Sequence, residues 1–316
     1  MRTKKYIITI SCLIMLVILS GTCIGEEIDI NQDVNKLDKN KNGKILSAEK
    51  VNFSDAYFKY KDSKRPSSLD KTNIYKIKYL SEGLEVVGFI VRPKKKGDYP
   101  VIIFNRGGNE EYAKITNSLQ VFFSRLAAKG YVIVASQYRG NDGGEGKEEF
   151  GGKDVNDVLN LVPLIKSLDF TLSDKIGMLG ISRGGMMSYI AIKKGIDVDA
   201  AVVIGGVTDL IQNYKTRSAM KQVMNSLIGC TPQECRKEYI KRSAYYWPEK
   251  IDVPVLILHG TKDWNVKVSQ AKKLAKKLNE LDKEYKLVLY DDKHGLGKHH
   301  EEWKKEMWNW FDKHLN

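Results

Sequence analysis

Residues 175–189 constrain the fold more than any other part of the sequence. They run from a short apolar stretch, through a Gly-x-Ser-x-Gly pattern centred on Ser182, into a helical pattern. Small residues at Gly180 and Gly184 are typical of a sharp turn between a strand and a helix, where a larger side chain would collide with neighbouring backbone. We therefore interpret Ser182 as a nucleophile, provided that strands, helices and partner residues surround it in the right order.

Apolar runs alternate with helical patterns on both sides of this turn. Residues 74–79 and 84–91 alternate in polarity around a short turn and predict a hairpin. The further predicted strands are 99–104, 131–135, 175–179, 200–204, 253–258 and 285–290, and the predicted helices are 116–129, 154–168, 184–194, 269–281 and 301–314. Apolar strands that alternate with helices indicate a parallel sheet covered on both faces. The predicted fold class is α/β, with a mostly parallel, doubly wound sheet.

The amino terminus is typical of a targeting segment. A basic start precedes an apolar run over residues 7–19 and small residues at 20–22. The run is shorter than the roughly 20 residues that a membrane-spanning helix needs. Residues 1–25 are therefore predicted to be a signal peptide, with a retained N-terminal membrane anchor as the alternative. Either interpretation predicts an extracellular or cell-envelope protein.

The charge of the chain gives little evidence for a polyanionic partner. The formal net charge is +13, which favours acidic surfaces. The lysines, however, are spread along the sequence, often on predicted helical faces such as residues 272–278, and no basic cluster alternates with aromatic residues. We expect no nucleic-acid partner, and no membrane attachment beyond the amino terminus.

A polar segment, residues 26–65, separates the targeting segment from the first predicted strand. Within it, residues 38–49 match the spacing of an EF-hand calcium loop, with Gly43 at the turn. The candidate ligands are the side chains of Asp38, Asn40, Asn42 and Glu49 and the backbone carbonyl of Lys44. The alternative is a solvated turn before a helix predicted over 48–60. A calcium ion here would be structural, and we expect no cofactor for catalysis.

Two cysteines in the body of the chain lie close together, Cys230 and Cys235. In an exported protein this spacing predicts a short-loop disulfide, and the alternative is two free thiols in a loop. The pair falls within residues 207–248, where mixed helical pieces interrupt the alternation of strands and helices. This interruption predicts a small cap insertion over the site that contains Ser182.

A serine hydroxyl is a poor nucleophile until a base accepts its proton, and a carboxylate improves the base by orienting it. Asp263 follows predicted strand 253–258, and His294 follows predicted strand 285–290. Catalytic groups in such sheets gather at the carboxyl ends of strands, and the chain order Ser, Asp, His also fits. We predict Asp263 as the acid and His294 as the base. The competing candidates are His259, His299 and His300 for the base and Asp209, Asp291 and Asp292 for the acid.

Acyl transfer also needs hydrogen-bond donors for the negative charge that develops on the substrate oxygen. One predicted donor is the backbone N–H of Arg183, directly after the nucleophile. The second is expected in the loop after strand 99–104, from the N–H of Arg106 or Gly107. For the Arg106 guanidinium two interpretations stay open: contact with the oxyanion or a substrate carboxylate, and a surface salt bridge.

The motifs at 138–140, 180–185, 259–263 and 293–295 together resemble the α/β-hydrolase catalytic domain of prolyl oligopeptidase-type serine peptidases, from about residue 70 to the carboxyl terminus. The resemblance implies an α/β-hydrolase fold of about eight strands over residues 66–316. It also implies the roles of Ser182, Asp263 and His294 given above, and an oxyanion contribution from the loop at 105–108. Two departures stand out, because residues 26–65 replace the usual β-propeller and Arg106 replaces a tyrosine.

We therefore expect an exported serine hydrolase that cleaves peptide bonds of short substrates through an acyl-enzyme. The nearest alternative is a carboxylesterase that uses the same three residues on small acyl esters, since the difference lies in pocket shape and in protonation of a leaving amine. The third hypothesis is a non-catalytic binding protein on the same fold. It gives no reason for Ser182, Asp263 and His294 to occur together.

Overall fold

The computed structural model describes residues 41–61 and 63–315. The predicted targeting segment, and the candidate calcium ligands Asp38 and Asn40, lie outside the described residues. Within the described ranges, no helix combines the length and the apolar character needed to cross a membrane.

A nine-stranded sheet lies at the centre of the fold. Its strands are β1 (Ile45–Lys50), β2 (Thr72–Ser81), β3 (Leu84–Pro93), β4 (Tyr99–Asn105), β5 (Val132–Ser136), β6 (Thr171–Ile181), β7 (Ala200–Ile204), β8 (Val255–Gly260) and β9 (Tyr285–Tyr290). The order across the sheet is β1-β2-β3-β5-β4-β6-β7-β8-β9. The β1–β2, β2–β3 and β3–β5 pairs are antiparallel, and all remaining neighbours are parallel. This arrangement confirms the predicted fold class.

Helices cover both faces of the sheet. They are α1 (Asp55–Tyr60), α2 (Asn117–Ala127), α3 (Val155–Leu159), α4 (Leu161–Lys166), α5 (Arg183–Lys193), α6 (Leu210–Thr216), α7 (Lys221–Ile228), α8 (Arg236–Lys241), α9 (Val268–Glu280) and α10 (His300–Leu315). Buried side chains of α2 and α10 pack on one face, and those of α3, α4, α5 and α9 pack on the other. Every residue of β5 and β7 is buried, which explains why these strands read as continuous apolar runs.

The helix predicted over residues 48–60 is wrong in its first half. Residues 45–50 form β1, which pairs antiparallel with β2, and only α1 is helical. Without β1, the edge of β2 would present unpaired backbone N–H and C=O groups. Pairing with β1 satisfies these groups and gives the sheet nine strands instead of the predicted eight or so. The helix predicted over 154–168 is also divided, into α3 and α4. Pro163 has no N–H for the carbonyl of Leu159, so a continuous helix would lose that hydrogen bond.

The described part of the candidate calcium loop makes other contacts. The Asn42 side chain accepts a hydrogen bond from the Glu82 N–H (2.7 Å), and the Lys44 carbonyl accepts one from the Leu80 N–H (2.9 Å). Glu49 is exposed on extended strand β1, about 16 Å along the chain from Lys44 at roughly 3.3 Å per residue. These contacts do not support an EF-hand geometry, in which a helix returns the closing carboxylate to the ion. Calcium binding therefore stays a prediction.

Candidate active site

Ser182 occupies a strained turn between β6 and α5. Its backbone has φ 58° and ψ −121°, a region that non-glycine residues rarely adopt. A Cβ at Gly180 would lie 2.5 Å from the Ser188 Oγ, and a Cβ at Gly184 would collide with the Asn105 carbonyl. The Ser182 N–H donates to the carbonyl of Ile204 (2.8 Å), which fastens the turn to β7. The geometry is that of a nucleophile elbow, with a glycine required at each flank.

The structure brings Asp263 and His294 together from the ends of two neighbouring strands. His294 Nδ1 lies 2.6 Å from Asp263 Oδ2, and Ser182 and His294 line the same pocket. With the Nδ1–H donated to the carboxylate, the other ring nitrogen is left to accept a proton. The predicted acid and base are therefore paired beside the serine.

Four donors surround the buried Asp263 carboxylate. The backbone N–H groups of Asn265 (2.8 Å) and Val266 (2.9 Å) donate to Oδ1. At Oδ2, His294 is joined by His259, whose Nε2 lies 3.3 Å away. Burial alone would raise the pKa of Asp263, but the hydrogen bonds from His259, His294 and Val266, with the charge of His294, outweigh it and hold the pKa well below its usual range. Asp263 is therefore a fixed negative charge.

The competing candidates for base and acid have other contacts. His259 is fully buried and supports Asp263, with its Nε2 also 2.9 Å from the Val266 carbonyl. Asp292 accepts hydrogen bonds from the N–H groups of Lys293 and Lys298 and so folds the loop that carries His294. The others lie on helix ends or on the surface: Asp209 caps α6, Asp291 pairs with Lys262, and His299 and His300 contact Glu302 and Glu301.

The loop after β4 contributes Gly107, but not the Arg106 side chain, to the pocket. A Cβ at Gly107 would lie 3.8 Å from Ser182 Oγ, so the backbone of Gly107 passes close to the Ser182 hydroxyl. The Arg106 guanidinium is fully buried and donates to the carbonyls of Gln137 (3.1 and 3.0 Å) and Glu110 (2.8 Å). Both interpretations of this guanidinium are wrong, because it holds the loop in place instead of facing a substrate or solvent.

A buried charge cluster, formed by Arg106, Arg183, Glu148 and Asp154, lies beneath the elbow and this loop. Arg183 Nη1 donates to Glu148 Oε1 (2.6 Å), and Arg183 Nη2 donates to Asp154. Burial alone would lower the pKa of Arg183, but Glu148 and Asp154 outweigh it and raise that pKa. Tyr138 lies against both arginines and donates its hydroxyl to the Arg106 carbonyl (3.1 Å).

A pocket of about 270 Å³ opens beside Ser182. Its lining residues come from the end of β4 with the loop and α2 that follow it, the loop after β5, the elbow, the segment after β7, and the loops that carry Asp263 and His294: Phe104, Gly107, Gly108, Asn109, Tyr112, Ala113, Leu119, Phe150, Ile181, Ser182, Arg183, Val207, Asn213, Arg217, Met220, Asn265 and His294. The volume suits one or two residues of a substrate.

The segment predicted as a cap, residues 207–248, contains α6, α7 and α8. Its first part contributes Val207, Asn213, Arg217 and Met220 to the pocket. Between α7 and α8, Cys230 and Cys235 are joined by a disulfide with a Cα–Cα distance of 6.0 Å, as their spacing predicts.

Sequence reasoning missed the carboxylates of the buried charge cluster and the arginine of the pocket. Glu148 and Asp154 lie in the loop after β5, at the carboxyl edge of the sheet where the catalytic candidates gather. Their position after an apolar strand is a signal that could have drawn attention to them. Arg217 lies among mixed helical pieces, and no local pattern distinguishes it from the many surface cations.

Comparison with known proteins gives a consistent set of similarities. A family model described as the prolyl oligopeptidase family matches residues 117–316. The Bacillus subtilis protein YtmA, described as an uncharacterized peptidase, is 35% identical over 226 residues, which cover 71% of this chain and 87% of YtmA. YuxL of the same organism, also described as an uncharacterized peptidase, is 29% identical over 257 residues, which cover 76% of this chain and 39% of YuxL.

The similarity extends to solved structures. The acylaminoacyl peptidase of Pyrococcus horikoshii has a TM-score of 0.69 with this chain at 23% sequence identity, and the match covers 83% of this chain and 44% of that one. At this identity the match shows the α/β-hydrolase fold. The chain thus spans most of YtmA, but less than half the length of YuxL and of the Pyrococcus enzyme.

Proposed function

Because the chain belongs to the prolyl oligopeptidase family and is a serine hydrolase, we propose that it is a peptidase that cleaves amide bonds of short substrates through an acyl-enzyme on Ser182. The observation that carries the proposal is the 2.6 Å contact between His294 Nδ1 and Asp263 Oδ2 beside the pocket that contains Ser182. This arrangement supplies a base that is oriented and electrostatically stabilised next to a nucleophile.

The proposed reaction proceeds in two stages. His294 accepts the Ser182 proton while Oγ attacks the substrate carbonyl, and the charge that develops on the carbonyl oxygen is stabilised by the N–H groups of Gly107 and Arg183. His294, held by Asp263, then gives the proton to the departing amine, which leaves an ester on Ser182. In the second stage His294 takes a proton from water while the water oxygen attacks the ester carbonyl. The bond from the carbonyl carbon to Ser182 Oγ then breaks, the acyl group leaves as a carboxylic acid, and His294 returns the proton to Oγ.

A carboxylesterase is the second candidate function. Several lining side chains are apolar, such as Leu119, Phe150 and Met220, and these suit the acyl chain of a small ester. The same nucleophile, base and acid serve both reactions. Amide cleavage demands in addition that His294 protonates the leaving amine.

A direct comparison of substrate classes tests the proposal. The purified protein is assayed on a short acyl ester and on a peptide amide with the same acyl group, beside Ser182→Ala and the exposed-site control Ser118→Ala. We expect hydrolysis of both substrates, loss of about 10⁶-fold in kcat for Ser182→Ala, and no loss for Ser118→Ala. Ester cleavage alone would favour the carboxylesterase. No turnover of either substrate by folded protein, or activity of Ser182→Ala near that of the parent, would contradict the nucleophile assignment.

We also propose that the protein is exported, or anchored in the cell envelope by its amino terminus. The apolar run over residues 7–19 supports this, as does the disulfide between Cys230 and Cys235, because disulfides persist in oxidising compartments. The test is amino-terminal sequencing of the protein recovered from culture fluid, membrane and cytosol. A mature chain that starts near residue 26, or an intact chain in the membrane fraction, would agree with the proposal. An intact chain confined to the cytosol would contradict it.

A further inference from the structure

Arg217 follows the last residue of α6 and lines the pocket that contains Ser182. Its guanidinium lies over the ring of Trp264, with 5.9 Å between the central carbon and the ring centroid. The Nε atom is buried and has no hydrogen-bond partner among the described residues. Burial also lowers the pKa of Arg217 from its ordinary value. A buried donor without a partner is costly, which indicates that a ligand completes the site.

The other charges at the pocket are already paired. Arg183 is neutralised by Glu148 and Asp154, and His294 is held by Asp263. The residues that line the pocket include no aspartate or glutamate, and within the described ranges no carboxylate oxygen is within 4.0 Å of the Arg217 guanidinium nitrogens. Within the described ranges, Arg217 therefore has no carboxylate in contact with it: the charge of Asp263 acts on it only from beyond 4.0 Å, and Asp263 is already held by His294.

We infer that Arg217 is a specificity-determining residue that binds a carboxylate group of the substrate. The planar guanidinium matches a carboxylate, and such ion pairs gain most where water is largely excluded. Within a pocket of about 270 Å³, the carboxylate is held within one or two residues of the bond attacked by Ser182. The inference rests on the proposed function and refines it, because Arg217 would select those short peptides that carry a carboxylate near the cleaved bond.

A pair of substrates that differ in charge but not in shape tests this inference. N-acetyl-glutamyl aminomethylcoumarin and its glutaminyl analogue are compared by kcat/KM. A charge-assisted hydrogen bond predicts that the glutamyl substrate is preferred by about 10- to 100-fold. In Arg217→Gln the ratio of kcat/KM values should fall to near one. In Arg217→Lys it should be intermediate, because the charge remains but the planar pair of N–H donors is lost. Lys215→Gln, which removes an exposed charge of α6, is the matched control and should keep the parent ratio.

The carboxylate has two possible sources, an acidic side chain or the free end of a short peptide. A second arm compares a dipeptide with its carboxyl-amidated form, since only the first carries a terminal carboxylate. A charge preference in either arm that depends on Arg217 supports the inference, and the arm that shows it identifies the source. Equal kcat/KM values within both pairs would overturn it, and so would a preference that persists in Arg217→Gln.

Protection against a fluorophosphonate probe separates this inference from the proposed function. The α-amides of N-acetylglutamate and N-acetylglutamine, which differ only in the side-chain carboxylate, compete with the probe for the pocket without any need for turnover. Stronger protection by the acid, lost in Arg217→Gln, would support carboxylate binding even if no amide were cleaved, and the peptidase proposal alone would then fail. Equal protection by acid and amide would overturn carboxylate binding of acidic side chains, whatever the enzyme hydrolyses.

Discussion

Replacement of Glu148 by glutamine should destabilise the loop after β4 and the turn that carries Ser182. Glu148 accepts hydrogen bonds from the Glu110 N–H (3.1 Å to each oxygen), the Asn141 amide (2.9 Å) and Arg183 Nη1 (2.6 Å). It also lies 3.6 Å from Arg106 Nη2. Glu148→Gln keeps the shape of the side chain, removes its charge and replaces one acceptor with an NH₂ group that faces other donors.

The magnitude follows from the burial of the cluster. Two buried arginines share two buried carboxylates, and the substitution leaves Asp154 alone to balance both. Removing one partner of such a buried pair costs about 3–5 kcal/mol. By contrast, Glu306 pairs with Lys286 at the surface (2.6 Å), so Glu306→Gln should cost less than about 1 kcal/mol.

Urea denaturation of both variants measures these costs, and the rate of labelling by a fluorophosphonate reports on the site. We expect a lower unfolding midpoint for Glu148→Gln and slower labelling, because the Gly107 loop and the elbow are both tied to Glu148. Glu306→Gln should behave as the parent in both measurements. If the two variants had the same unfolding midpoint, the electrostatic argument for the cluster would be refuted.

Two further predictions concern the acid and the disulfide. Asp263→Asn should lower kcat on an ester by about 10⁴-fold, since His294 loses the acceptor that fixes its tautomer; a loss under tenfold would count against this role. The folded pKa of Asp263 lies below the unfolded value, so its stabilisation is complete above about pH 4 and is lost as the pH falls further. Asp263→Asn should flatten this acid dependence in thermal melts. Cys230→Ser should cost about 2 kcal/mol for a loop of this length, and reductant should lower the melting temperature of the parent but not of the variant.

The parallel half of the fold could be predicted because its signals are local. A strand buried on both faces is apolar throughout, as β7 is, and the elbow demands glycines at fixed positions around Ser182. The order of Asp263 and His294 after successive strands placed both at one edge of the sheet. These inferences needed no knowledge of distant contacts.

The rest of the fold and site depends on contacts between distant residues. The strand β1 has one buried residue, Ile45, and no continuous apolar run, and it forms because the edge of β2 needs a partner. Arg106 is buried because the carbonyl of Gln137, 31 residues away, accepts its hydrogen bonds. A single sequence carries no record of such pairings. The buried charge cluster and the exposure of Arg217 to the pocket became visible only with the fold.

Covalent labelling of the folded protein with a fluorophosphonate, followed by peptide mapping, tests most directly whether Ser182 is the nucleophile and Asp263 and His294 are its acid and base. We expect one modified residue, Ser182, with labelling abolished in Ser182→Ala and slowed in Asp263→Asn. Label on another serine, or a folded protein that reacts equally fast without the Asp263 carboxylate, would contradict the assignment of nucleophile, base and acid.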